Sequence, residues 1–160
     1  MKKLITLIAV IATVMALSGV AQGVFDEASF RAELSGANEV PPVETNTTGE
    51  AKFTVRGDTI DFELEIVNAD NIFGVAGAHI HCAPAGENGP VVAFLAGAVP
   101  GGFDGSVEVN ATLTEANIVN PACGVDIAEL VESMSNGDAY VNAHSPAHPG
   151  GEARGQILEL

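Results

Sequence analysis

Residues 59–67 (TIDFELEIV) alternate strictly, with Ile60, Phe62, Leu64 and Ile66 on one side and Asp61, Glu63 and Glu65 on the other. A period of two predicts a strand with one face in a core and the other in water. The Gly57-Asp58 pair and residues 50–55 (EAKFTV) precede it, so the two segments read as an antiparallel hairpin. Shorter alternating or apolar runs predict further strands at 30–34, 77–81, 90–95, 106–113, 140–144 and 152–158. Gly36, Asn38, Pro41 and Pro42 predict a loop across 35–48. One segment differs. In 126–135 (DIAELVESMS), Ile127, Leu130, Val131 and Met134 recur at helical spacing, and Gly137 follows as a stop signal. Seven or eight short strands with Gly/Pro turns and one short helix predict an all-β, antiparallel sandwich or barrel.

The first residues follow another logic. Lys2 and Lys3 precede an uncharged apolar run from 4 to 17, and Ala21 and Gly23 offer a small-residue cleavage signal. This layout predicts a signal peptide over 1–23 and a mature domain over 24–160. The apolar run is shorter than the about 20 residues a membrane-crossing helix needs, so no span is expected after cleavage. The expected location is therefore secreted, periplasmic or cell-surface. Removing both lysines leaves Arg31, Lys52, Arg56 and Arg154 against all 21 acidic residues, a balance of −17. So acidic a domain lacks the basic footprint of a nucleic-acid binder, and its expected partner is an unidentified extracellular protein or ligand.

Two cysteines, Cys82 and Cys123, permit one intramolecular disulfide in an oxidising compartment, with free or metal-bound thiols as the alternative. Asn46 and Asn110 each begin an N-x-[ST] glycosylation pattern.

All four histidines lie in two windows, His79 and His81 in AHIHCAPAGENGPVV, and His144 and His148 in YVNAHSPAHPGGEARGQI. On a strand, His79 and His81 share a face, as do Asn142 and His144. His148 lies in a Pro-flanked loop. Clustered imidazoles suit copper, zinc or nickel, with copper intrinsically the tightest. The alternative is that the histidines hold loops or contact a ligand through ordinary hydrogen bonds. No nucleophile elbow, P-loop or dinucleotide fingerprint occurs, and Ser145 beside His144 cannot form a triad by adjacency. No catalytic residue is assigned, and an enzymatic role is not expected.

Three blocks, LSGANEVPPVETNTTGEAKF (34–53), AHIHCAPAGENGPVV (78–92) and GDAYVNAHSPAHPGGEARGQI (137–157), resemble the CHRD (chordin-type) family in content and order. The resemblance implies a secreted or surface domain acting as a binding or adhesion module without catalysis. A more distant similarity is to copper/zinc superoxide dismutase. It implies a Greek-key barrel, with His79 and His81 in the place of its His-x-His copper ligands, His144 as a late-strand ligand and Arg154 as the arginine near the metal. The long metal-binding loop and bridging histidine of that family are missing, so dismutase activity is not expected. The second functional reading is therefore a mononuclear copper or zinc site on His79, His81, His144 and His148, with Asn142 and Arg154 beside it.

Overall fold

The structure, a computed structural model, describes residues 28–160. The signal peptide expected over 1–23 lies outside the described residues. Among the described residues nine strands form in chain order: β1 (Ser29–Ser35), β2 (Thr48–Arg56), β3 (Thr59–Ile72), β4 (Ala78–Cys82), β5 (Val91–Ala96), β6 (Phe103–Leu113), β7 (Ala139–Ala143), β8 (Ala153–Gln156) and β9 (Leu158–Glu159). Among the described residues one α-helix, α1 (Ile127–Ser135), forms and precedes β7. All pairings between strands are antiparallel, in the spatial order β5-β4-β7-β8-β1-β2-β3-β6, with β9 on β1. A single bridge from Ala93 to Ile118, just past β6, nearly closes the ring. The fold is thus an all-β Greek-key barrel with one short helix, as expected.

Its two halves differ in how their outer faces are treated. In β2 and β3 the sequence alternation survives intact. Phe53, Ile60, Phe62 and Leu64 point into the core, while Lys52, Asp61, Glu63 and Glu65 point outward. The β3 strand runs five residues beyond the alternating segment because two bulges interrupt it. Ile66, Ala69 and Ile72 are buried at spacing three, and Asn68 and Asn71 between them adopt left-handed backbone. Each bulge adds a residue to one strand and so breaks the period that sequence reading relies on.

The half formed by β4, β7 and β8 is buried on both faces. Ala78, Ile80, Ala139, Val141 and Ala153 fill the core side. On the other side stand His79, His81, Tyr140, Asn142 and Arg154, buried although most of these side chains are polar. They are covered by the loop from Gly36 to Thr47, the loop from Ala83 to Pro90, and the loop from Ser145 to Glu152. A strand buried on both sides loses its alternation, which is why the predicted strands here carry no period-two signature.

Two features pin the core side of this half. Cys82, at the end of β4, forms a disulfide with Cys123, 41 residues away in sequence. Helix α1 has Asp126 as its N-cap, the Asp126 side chain accepting from the Glu129 N–H at 2.9 Å, and buries Ile127, Leu130 and Met134. Beyond it, Gly137 turns with φ +75°, the left-handed conformation that the stop signal anticipates. The final segment, read as one strand over 152–158, is two. At Ile157 the side chain is fully buried and the N–H donates to Ala139, which separates β8 from β9.

Candidate metal centre

Strand register builds the site. His79 lies opposite Asn142 across β4 and β7, and Asn142 lies opposite Arg154 across β7 and β8. His81 lies opposite Tyr140. His144 follows β7 directly, and its backbone is tied at both ends, its N–H donating to Gly77 and its carbonyl accepting from Phe73. The result brings His79, His81 and His144 together, with one ligand nitrogen of each within 4.8 Å of the others. All three are buried, at 5%, 8% and 5% exposure.

Backbone carbonyls fix which nitrogens face inward. His81 Nδ1 lies 3.0 Å from the Gly89 carbonyl, and His144 Nδ1 lies 3.1 Å from the Pro149 carbonyl. A carbonyl only accepts, so each Nδ1 carries the proton and each Nε2 presents a bare lone pair. The His81 Nε2 is buried without a hydrogen-bond partner among the described residues. The His144 Nε2 faces His79 Nδ1 at 3.2 Å. Two nitrogens sharing one ion at about 2.0–2.1 Å sit about 3.3–3.6 Å apart for tetrahedral to trigonal angles, so this pair is close to preset for a common metal. Carbonyl-oriented imidazoles of this kind are the usual outer support of a metal-ligating histidine.

Burial also keeps the three rings neutral. For His79 it lowers the pKa to about 4, with the His144 and His81 rings adding to the effect against an opposing hydrogen bond to Ala76. The pKa of His81 is lowered by burial, opposed by its bond to Gly89, with the positive charge of Arg154 adding to the drop. That of His144 is lowered by burial and by His81. Neutral imidazole is the form that binds metal.

Further polar residues surround the cluster. The ring of Tyr140 stacks on His81 with centroids 4.9 Å apart and 15° between planes, and the Arg154 guanidinium lies 3.5 Å over the Tyr140 centroid. Arg154 then donates to Asn88 Oδ1 at 3.1 Å and to the Glu87 carbonyl at 2.7 Å, fastening the loop that carries Gly89. The same loop is held by the Gly89 N–H donating to the Tyr140 hydroxyl at 3.2 Å. Phe94 meets His79 edge-on at 4.7 Å and is itself 49% exposed.

Asn142 Nδ2 donates to Glu39 Oε2 at 3.3 Å. Burial pushes the Glu39 pKa up to about 7, against the lowering effects of Asn142 and Arg154. Among the described residues neither Glu39 Oε1 nor Asn142 Oδ1 has a partner. A proton on Glu39 would satisfy both as a reciprocal carboxyl–amide pair. Gly151 makes room for it, since a Cβ there would sit 2.7 Å from both Glu39 oxygens.

The other predicted positions fall elsewhere. His148 is half-buried and stands outside the three-histidine group. Arg154 is buried behind Tyr140 and is engaged by loop carbonyls. The hydroxyl of Ser145 bonds Glu152, whose carboxylate also accepts from Thr45 at 2.8 Å and Thr47 at 2.6 Å. Burial acts to raise the Glu152 pKa, yet these bonds prevail and hold it below the usual carboxylate value. Sequence reasoning missed Glu39 and Glu152, both buried. Their only signal was their place inside the ANEVPP and GGEARG blocks, since no spacing marked them.

Among the described residues no helix is long and apolar enough to cross a membrane. No curated protein and no solved structure matches the sequence. The profile of the CHRD domain matches residues 30–157, which takes in the core strands, the three-histidine cluster and the disulfide alike. This chain belongs to the CHRD domain family.

Proposed function

We propose that this CHRD domain is the working part of an exported protein that binds one transition-metal ion, copper or zinc, on His79, His81 and His144. One observation carries the reading: three buried imidazoles converge within 4.8 Å while carbonyls hold the protons of two of them on the outward nitrogens. Burying three polar rings with a bare nitrogen unpartnered is costly unless something accepts those lone pairs. A metal ion does so at once. Export is supported by the N-terminal segment and by the Cys82–Cys123 disulfide, which persists in oxidising compartments.

The test is metal content and copper and zinc titration of tag-free protein spanning 24–160, repeated on His79→Ala, His144→Ala and His148→Ala. Stoichiometric binding lost in the first two variants and kept in the third is expected. Absence of stoichiometric metal, or binding unchanged in His79→Ala and His144→Ala, would sink the proposal.

A second reading, a binding or adhesion module acting without catalysis at the same end, is favoured by a different observation. Val75, Phe94, Val99 and Phe103 are exposed, and the segments bearing them meet around Phe73 and His79. Loss of surface adhesion in a Phe94→Ser, Val99→Ser protein that still binds metal would favour it. Turnover of a defined substrate by purified protein would overturn its non-catalytic character.

A further inference from the structure

We infer that the ion this site suits best is monovalent copper, held three-coordinate by His79, His81 and His144. The inference rests on the metal-binding reading above and narrows it.

Charge comes first. Among the described residues the convergent group contains imidazoles alone. The two buried carboxyls nearby stand outside that group: Glu39 turns to Asn142, and Glu152 is occupied by Thr45 and Thr47. No ligand therefore offsets the charge of a bound ion. Behind His81, moreover, stands a permanent cation, since Tyr140 stacks between it and Arg154. The cost of burying an ion rises with the square of its charge, so a divalent ion pays about four times the desolvation of a monovalent one here. Copper in its lower oxidation state is the imidazole-binding metal that carries a single charge.

Coordination number points the same way. Three-histidine zinc sites keep a fourth, water-filled position, and divalent copper favours tetragonal sets of four or more ligands. The three rings here are nearly closed off, and Phe94 packs on His79 in a T-shaped contact. Monovalent copper has a filled d shell and is content with three ligands. A 3.2 Å pair with a third nitrogen within 4.8 Å needs only a small inward movement to enclose it.

The experiment uses protein spanning 24–160. It is titrated anaerobically with monovalent copper against bicinchoninate, separately with divalent copper and zinc against competing chelators, and its copper midpoint potential is measured. Monovalent copper is expected to bind at least about a hundredfold tighter than divalent, relative to the free ions, which raises the one-electron potential by about 118 mV at about 59 mV per tenfold. Phe94→Ala is half-exposed and leaves the core intact, and it should admit a further ligand and reduce that preference about tenfold, a drop of about 59 mV. Divalent copper or zinc binding as tightly as monovalent copper overturns this inference and leaves the metal-binding reading standing. An unchanged potential in Phe94→Ala also counts against it. Failure of all three ions to bind overturns both.

Discussion

The guanidinium of Arg154 lies 3.5 Å above the ring of Tyr140, which in turn lies parallel to the His81 imidazole at 4.9 Å. This stack joins three strands, because His81, Tyr140 and Arg154 come from β4, β7 and β8. Arg154 also holds the loop whose Gly89 carbonyl orients His81. A lysine cannot both lie flat on the ring and reach Asn88 and the Glu87 carbonyl. Arg154→Lys should therefore lose about 2–4 kcal/mol of stability, measured by urea unfolding, because a buried charge is left short of hydrogen-bond partners. Hydrogen exchange across 83–89 should rise with it.

The Glu39–Asn142 pair makes a pH prediction whose sign is unusual for a carboxyl. Its folded pKa of about 7 stands above the ordinary 4.5, so the folded protein binds the proton more tightly than the unfolded chain. Stability should then decline as pH rises from about 4.5 to about 7, by up to about 3 kcal/mol. Glu39→Gln reproduces the neutral, reciprocally bonded form and should flatten the decline. Unfolding free energies at about pH 5 and about pH 8 for both proteins decide the matter; an equal decline in both would refute the assignment.

Histidine protonation acts in the opposite direction. With the His79 pKa lowered to about 4, the metal-free protein should lose stability as pH falls below the ordinary 6.5, because the unfolded chain takes up the proton first. Metal affinity should hold at about pH 6 and collapse only on approach to about pH 4, lower than free imidazoles would allow. Copper titration across that range reads it directly.

Cys82 follows His81 immediately, so the disulfide anchors the end of the strand that carries two ligands. A double Cys82→Ser, Cys123→Ser variant should lose about 4 kcal/mol in the chain-entropy account for a loop of this length. The same substitution should weaken metal binding more than Arg31→Ala, whose exposed ion pairs lie on the wet face of β1 and β2.

Gly151 tests the fit around Glu39. It sits at φ +137°, and an added Cβ would approach Asn142 Nδ2 to 2.4 Å. Gly151→Ala should destabilise by about 1–3 kcal/mol and abolish the Glu39 pH dependence, since the carboxyl can no longer reach the amide.

The sequence by itself determined the hairpin of β2 and β3, the helix with its stop, the all-antiparallel class and the family. These are written in local periodicity: a residue's side of a strand or helix follows from its neighbours two to four positions away. Tertiary structure decided the rest. His79 and His144 are 65 residues apart, and Glu39 and Asn142 are 103 apart, so no local pattern reports their meeting. Nor could sequence reveal that three loops close over the outer face of β4, β7 and β8. Alternation marks a strand only where one face stays wet, and that covering removes the mark while turning the polar residues beneath it into a buried site.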